Sequence, residues 1–175
     1  MIILGIALAR GKKPILGVTY AFIRDELYVA VEGEGTFCNG ERVQGSSEED
    51  IKRVQIGFDG GKETETFKRA SISSFMHKLY ATEGIRAIQC TFCASVPLAC
   101  VASGRLHAYC ALSLQPWDMA VGYILNMEAG NKVTTIDGRE WNLDEPSIFV
   151  ANPVLHSKLS NFLEKEINDY CHRNS

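Results

Sequence analysis

The chain has 175 residues, with 18 Lys and Arg against 21 Asp and Glu and a formal net charge of −3. That length can bury a proper core and makes one large or two small units. No basic run is present, which argues against nucleic acid as a main partner, and no apolar run approaches the roughly 18–20 residues of a membrane span.

Residues 4–9, 15–20 and 27–31 are rich in Ile, Val, Leu and Tyr and read as strands. Gly11-Lys12-Lys13-Pro14 and Arg24-Asp25 are turn material between them, and Gly33-Glu34-Gly35 and Asn39-Gly40 mark two more reversals. Residues 2–9 include Ala7-Leu8-Ala9, which superficially fits a cleavage site, but no positive charge precedes them, so they read as a strand rather than a signal. Gly45-Ser46-Ser47-Glu48-Glu49-Asp50 is polar and predicts a boundary between a unit at 1–50 and one at 51–175.

Beyond that boundary the pattern changes. Residues 53–58 read as a strand and Asp59-Gly60-Gly61 as a loop. A helix from Glu63 carries Phe67, Ile72, Phe75, Met76, Leu79 and Tyr80 as an apolar stripe. Strands are expected over 85–88, 106–109, 133–136 and 148–151. A short helix over 94–103 must place Pro97 in its first turn. A helix over 116–129 closes at Gly130, and a last helix from Pro153 is capped by Asn152. Strands alternating with helices imply a layered α/β unit. The six cysteines form no compact framework, so they read as reduced thiols of a cytoplasmic protein, the lone Cys90-Thr91-Phe92-Cys93 included.

The most informative stretch is Pro116-Trp117-Asp118-Met119-Ala120-Val121-Gly122, followed by Glu128-Ala129-Gly130. Pro116 suits the first position of a helix. Asp118 then lies among unpaired backbone N–H groups at the positive end of the helix dipole. A carboxylate there can hold a divalent cation while the N–H groups face a phosphate. The same spacing also describes an ordinary helix-start residue.

This stretch resembles the second signature of the inositol monophosphatase family. The lead-in Leu98-Ala99-Cys100-Val101-Ala102-Ser103-Gly104-Arg105, the hairpin residues Ile15-Leu16-Gly17-Val18-Thr19-Tyr20, the segment Gly35-Thr36-Phe37-Cys38-Asn39-Gly40 and Val150-Ala151-Asn152 resemble the family in its order. The resemblance implies an α+β fold, with an antiparallel sheet followed by a layered α/β domain and the site at their junction. It implies a magnesium-dependent phosphatase that hydrolyses a small phosphorylated polyol, sugar or nucleotide through metal-activated water. Asp118 would be a metal ligand, Trp117 would pack its ring beneath the site, and the small Ala120 and Gly122 would let the helix approach its neighbours; plain helix packing explains those two equally well. Glu128 and Gly130 complete the signature. Family members are often dimers, so a homo-oligomer is expected.

The chain also departs from that pattern. The family's first signature, Asp-Pro-Ile/Leu-Asp-Gly-Thr, and the Glu-Glu pair upstream of it are not in this sequence. The expectation is a chain truncated at its N-terminus, weakly active or inactive alone, with apolar surface left for self-association or for a partner. A non-catalytic fragment or interaction module is the alternative. The substrate-side candidates are Asp59, Arg105 and Ala94. Ala94 depends on counting back from Gly104; counting forward from Arg86 selects Gln89-Cys90-Thr91 instead. The family's acidic residue after the Gly-Arg step falls on His107, which reads as a surface or satisfied histidine. Its substrate-contacting Glu falls on Ala111, which removes a polyol contact.

Overall fold

The computed structural model describes residues 3–59, 66–81, 84–90 and 93–174. Strands β1 (Ile3–Arg10), β2 (Lys13–Ala21), β3 (Glu26–Val31), β4 (Gly35–Cys38) and β5 (Glu41–Val43) form an antiparallel meander in chain order. Asn39 and Gly40 both take positive φ, +50° and +84°, as the tight Asn-Gly hairpin turn requires.

The strands of this sheet are apolar on both faces. On one face Gly5, Gly17, Thr19, Tyr28, Ala30 and Thr36 turn inward. On the other, Leu4, Ile6 and Leu8 pair with Tyr20, Val18 and Leu16, and these in turn with Leu27, Val29 and Val31.

A second sheet has the order β7 (Ala87–Cys90), β6 (Gln55–Asp59), β8 (Ala108–Ala111), β10 (Ile148–Ala151), β9 (Lys132–Thr134). β6 runs parallel to β7 and β8, and β10 antiparallel to β8 and β9. Helices α2 (Ser95–Ala102) and α3 (Pro116–Glu128) lie between the two sheets, in one apolar cluster with Tyr28, Ala30, Tyr109 and Val150. Helices α1 (Thr66–Ala81) and α4 (Pro153–Asn174) cover the far side of the second sheet, where Phe75, Leu79, Leu155 and Leu159 meet Ile56, Cys110 and Phe149. The α+β class expected from the sequence is the one observed.

Three strands start two residues later than the pattern reading, and in two of them a buried apolar residue that looks like the strand start belongs to the preceding turn instead. Residues 51–53 form a single 3-10 turn capped by the Asp50 carboxylate, so β6 starts at Gln55. Ile85 is buried but its N–H goes to Leu79 O, so β7 starts at Ala87. Leu106 is buried with its N–H on Cys100 O, so β8 starts at Ala108. Within α1, Phe75 and Leu79 are buried while Tyr80 is exposed. Tyr80 stands five positions from Phe75, about 140° round the helix, off the apolar face. Phe67 and Ile72 of the expected stripe, Glu63 and Cys171 lie outside the residues whose side chains are described. Cys38, Cys90, Cys93, Cys100 and Cys110 are thiols; Cys110 is buried and Cys90 is exposed.

Asn152 caps α4 as expected: its Oδ1 accepts from Val154 N and Leu155 N, and its Nδ2 donates to Ser46 O and Glu48 O. One turn on, His156 is buried against Thr134 Oγ1 (2.9 Å) and the Phe149 ring. Burial, reinforced by Lys132, pulls its pKa down to about 4. The unfolded chain takes up that proton near pH 6.5 and the folded chain only near 4. Stability from this site is therefore complete above about pH 6.5 and is lost as the pH falls towards 4, by an amount on the order of 2 kcal/mol. His156→Gln is expected to flatten that limb of a stability profile measured by urea unfolding between pH 7.5 and 4.5.

Candidate active site

Asp118 is the third residue of α3, and β8 leads into that helix through a turn in which Ser113 takes φ +51°. The helix starts where the sequence predicts, with Pro116 first. Asp118 Oδ2 accepts a hydrogen bond from Gln115 N at 3.1 Å, and Asp118 N donates to Gln115 O at 2.9 Å. The carboxylate is thereby held at the helix N-terminus, with its second oxygen outside that bond. The helix-start and ligand readings of Asp118 are compatible in this geometry.

Asp59 is the last residue of β6, and its carbonyl accepts from Leu112 N at 3.0 Å, just past the end of β8. In the parallel register Gly57 lies beside Tyr109 and Asp59 beside Ala111. Alternation along the strands puts Asp59, Tyr109 and Ala111 on the face turned to α2 and α3. Asp59, Asp118 and the start of α2 therefore gather at the carboxyl ends of β6 and β8, where open α/β sheets bind ligands.

Cys93 and Ala94 immediately precede α2, while Gln89 and Cys90 lie within β7; Phe92 and Thr91 lie outside the described residues. Arg105 is committed elsewhere. Its fork makes two bonds to Glu26, at 2.7 and 3.0 Å, it contacts the Tyr28 hydroxyl, and its Nε donates to Ser103 Oγ. His107 Nδ1 accepts from Gln55 N at 3.0 Å, and burial lowers its pKa, so it is a satisfied, neutral histidine.

Trp117 corrects an expectation. Its side chain is 74% exposed and does not lie packed beneath the carboxylates. At the second helical position it points away from the face that carries Met119 and Gly122 into the core.

The rest of the signature is explained by packing. A Cβ at Gly122 would stand 2.3 Å from Leu98 Cδ1, so the glycine sets how closely α3 approaches α2. Ala120 is buried too, on another face of the helix. Asn126, which pattern reading passed over, donates to Leu98 O and Gly122 O and accepts from Asn131 Nδ2, locking the two helices. Gly130 ends the helix at φ +84°. Glu128 reaches across to the first sheet, where its two carboxylate oxygens accept from Gly33 N (3.0 Å) and Gly35 N (2.9 Å). Glu128→Ala strands both N–H groups and loses two charge-assisted bonds, so a stability loss of about 2–3 kcal/mol is expected in urea unfolding. Glu128→Gln, which can serve only one N–H through its carbonyl oxygen, should fall between.

Among the described residues no three His, Cys, Asp or Glu side chains form a cation cluster. The donors present still fit a hard cation in kind. Asp118 and Asp59 offer carboxylate oxygens, and a buried hydroxyl without a partner, that of Tyr109, lies on the same face. Magnesium commonly takes one or two carboxylates from a protein and fills its remaining positions with water and substrate phosphate.

An antiparallel meander, two buried helices and a mixed sheet with a carboxylate at a helix start define a layered α+β protein. Residues 4–168 match the model of the inositol monophosphatase family, and the chain belongs to that family. It is 31% identical over 149 residues to inositol monophosphatase 1 of Homo sapiens, covering 84% of this chain and 53% of that protein. It is 31% identical over 145 residues to inositol-1-monophosphatase of Bacillus subtilis, covering 82% and 53%. Among solved structures, the extragenic suppressor protein suhB from Bartonella henselae superposes with a TM-score of 0.85 at 29% identity, covering 93% of this chain and 61% of that one. The chain thus spans about half the length of the curated relatives it matches.

Proposed function

We propose that this chain forms part of a magnesium-dependent phosphomonoesterase that acts on a small phosphorylated polyol, sugar or nucleotide in the cytoplasm. The observation that carries this reading is the placement of Asp118 at the start of α3, beside the carboxyl ends of β6 and β8. The relatives' names, inositol monophosphatase in both cases, support the phosphomonoester class. A bound magnesium ion would activate water and offset charge on the leaving oxygen. The chain's own part is to hold Asp118 in one orientation through Gln115 N and to present the α3 N-terminus to an anion. Two carboxylates give weak affinity for an ion that sheds water reluctantly, so turnover by this chain alone should be low. We place the site at the junction of a unit at 1–50 with one at 51–175.

The test is phosphate release from a panel of monoesters, with and without magnesium. It is run on this chain, on Asp118→Asn, and on this chain mixed with the polypeptide matching the remainder of a relative. Magnesium-dependent release that rises in the mixture and vanishes in Asp118→Asn is the expected result. Release that survives Asp118→Asn overturns the assignment.

One observation favours a second reading, an interaction module. On the outer face of the first sheet, Leu4, Ile6 and Leu8 are 58%, 65% and 57% exposed. Contiguous apolar surface of that kind marks an interface or an aggregation site. The chain is therefore expected to scatter light as more than a monomer at micromolar concentration, and Ile6→Glu is expected to reverse this. A monodisperse wild-type monomer would count against self-association through this face.

A further inference from the structure

Among the described residues β1 pairs with β2 alone, so one edge of the first sheet is open. Every second residue of such a strand points its N–H and C=O away from its neighbour. Natural sheet edges are usually guarded by Lys, Pro or a bulge. From Ile3 to Leu8 this one carries no charge and no proline, and its bulge falls after Leu8.

Helix α3 marks where a further strand would pass. Its stripe Trp117, Val121, Ile124 and Glu128 lies on one face, the face turned to the first sheet. Along that face the helix crosses the sheet. Glu128 accepts from Gly33 N and Gly35 N where β4 begins, and Leu125 O accepts from Thr36 Oγ1 of β4. Ile124 lies against Gly17 of β2, and Val121 against Gly17 and against Gly5 of β1. Trp117 comes next, one turn or about 6 Å beyond Val121, and neighbouring strands are about 4.8 Å apart. It therefore stands under the position beyond β1, where no described strand lies. Val121 and Ile124 are buried, whereas Trp117 is 74% exposed. Trp117 is the member of the stripe for which the sheet has run out.

We infer that the open edge of β1 is a strand-addition site, and that its occupant is an extended segment from the part of the family's chain that this one does not match. The segment pairs its backbone with β1 and covers the Trp117 ring. This goes beyond the phosphatase reading and does not depend on it. Two observations choose the occupant. The superposition on suhB covers 93% of this chain but 61% of that one, so more than a third of that chain lies outside it. A second copy of this chain fits badly: beneath its β1, at its own Gly5, lies its own Val121, in the space that Trp117 needs. A bare strand brings no helix with it. The segment is apolar on both sides, since it meets Trp117 on one and continues the row of Leu4, Ile6 and Leu8 on the other.

The test adds the polypeptide that makes up the rest of the Bacillus subtilis relative, carried on a soluble fusion partner, to the full chain labelled with 5-fluorotryptophan. The chain has two tryptophans, and Trp117→Ala assigns their two fluorine signals. The expected result is binding that shifts the Trp117 signal, leaves that of the buried Trp141 in place, and slows backbone amide exchange in β1. Trp117→Ala, at an exposed position, should keep the wild-type Tm and raise Kd at least about tenfold, as loss of a central aromatic anchor does. No binding, an unchanged Kd in Trp117→Ala, or binding that leaves β1 exchange and the Trp117 signal unchanged overturns the inference. So does β1 exchange that slows as the chain alone is concentrated and recovers in Trp117→Ala, because a second copy would then hold that edge.

Discussion

Gly122→Ala is expected to destabilise the fold by about 2 kcal/mol, although the same change in an exposed helix would help by about 1. Two effects oppose each other. Alanine lowers the entropy lost on forming α3. Its methyl, however, would stand 2.7 Å from Leu98 Cβ and 2.8 Å from Cγ, as well as 2.3 Å from Cδ1. A clash with Cβ cannot be relieved by rotating the leucine, so α2 and α3 must move apart. That motion would stretch the bonds from Asn126 to Leu98 O and from Asn131 to Val101 O. Overpacking of this kind costs about 1–3 kcal/mol and occasionally more. Urea unfolding of Gly122→Ala, Leu98→Ala and the pair gives the check. The pair should be somewhat more stable than the sum of the two losses implies, since alanine at 98 removes the Cγ and Cδ1 contacts, although its own Cβ remains. A Gly122→Ala variant as stable as the wild type would remove the close approach as the reason for glycine here.

Asp118→Asn is expected to separate two roles held by one side chain. Its amide oxygen can still accept from Gln115 N, so the helix start survives. Only the favourable charge at the helix terminus is lost, about 0.3–1 kcal/mol. A neutral amide is a far poorer ligand for a hard dication, so magnesium-dependent phosphate release should fall by at least about 100-fold. Asp118→Ala should lose both, with a further stability cost of about 1 kcal/mol. If Asp118 only starts the helix, release and melting would change together and slightly. A large loss of release with an unchanged melt is the expected signature.

Much of this could be read in the order of residues. Strands of the first sheet, the start of α3 at Pro116, its close at Gly130 and the Asn152 cap all follow from local chemistry: missing or unpaired N–H groups, tolerance of positive φ, β-branched content. The family resemblance rested on these same punctuating residues and is matched over residues 4–168. Glu128 could be listed in a signature but not explained, because its partners Gly33 and Gly35 are 95 and 93 positions away. The expectation for Trp117 failed for a related reason. Adjacent helical residues point in directions about 100° apart, so a side chain beside Asp118 in sequence need not lie beneath it in space.

By itself, then, the sequence determined the class of fold and the elements that punctuation marks out, the start of α3 at Asp118 among them. Those depend on interactions within a few positions of the chain. Only the tertiary structure decided that Asp59 and Tyr109 share a face with that end of the core, that Arg105 is spent on Glu26, and that the outer side of the first sheet stands open. Strands apolar on both faces say that each face needs cover, but not what supplies it. Contacts of that kind join residues dozens of positions apart, and no local rule encodes which distant residue arrives.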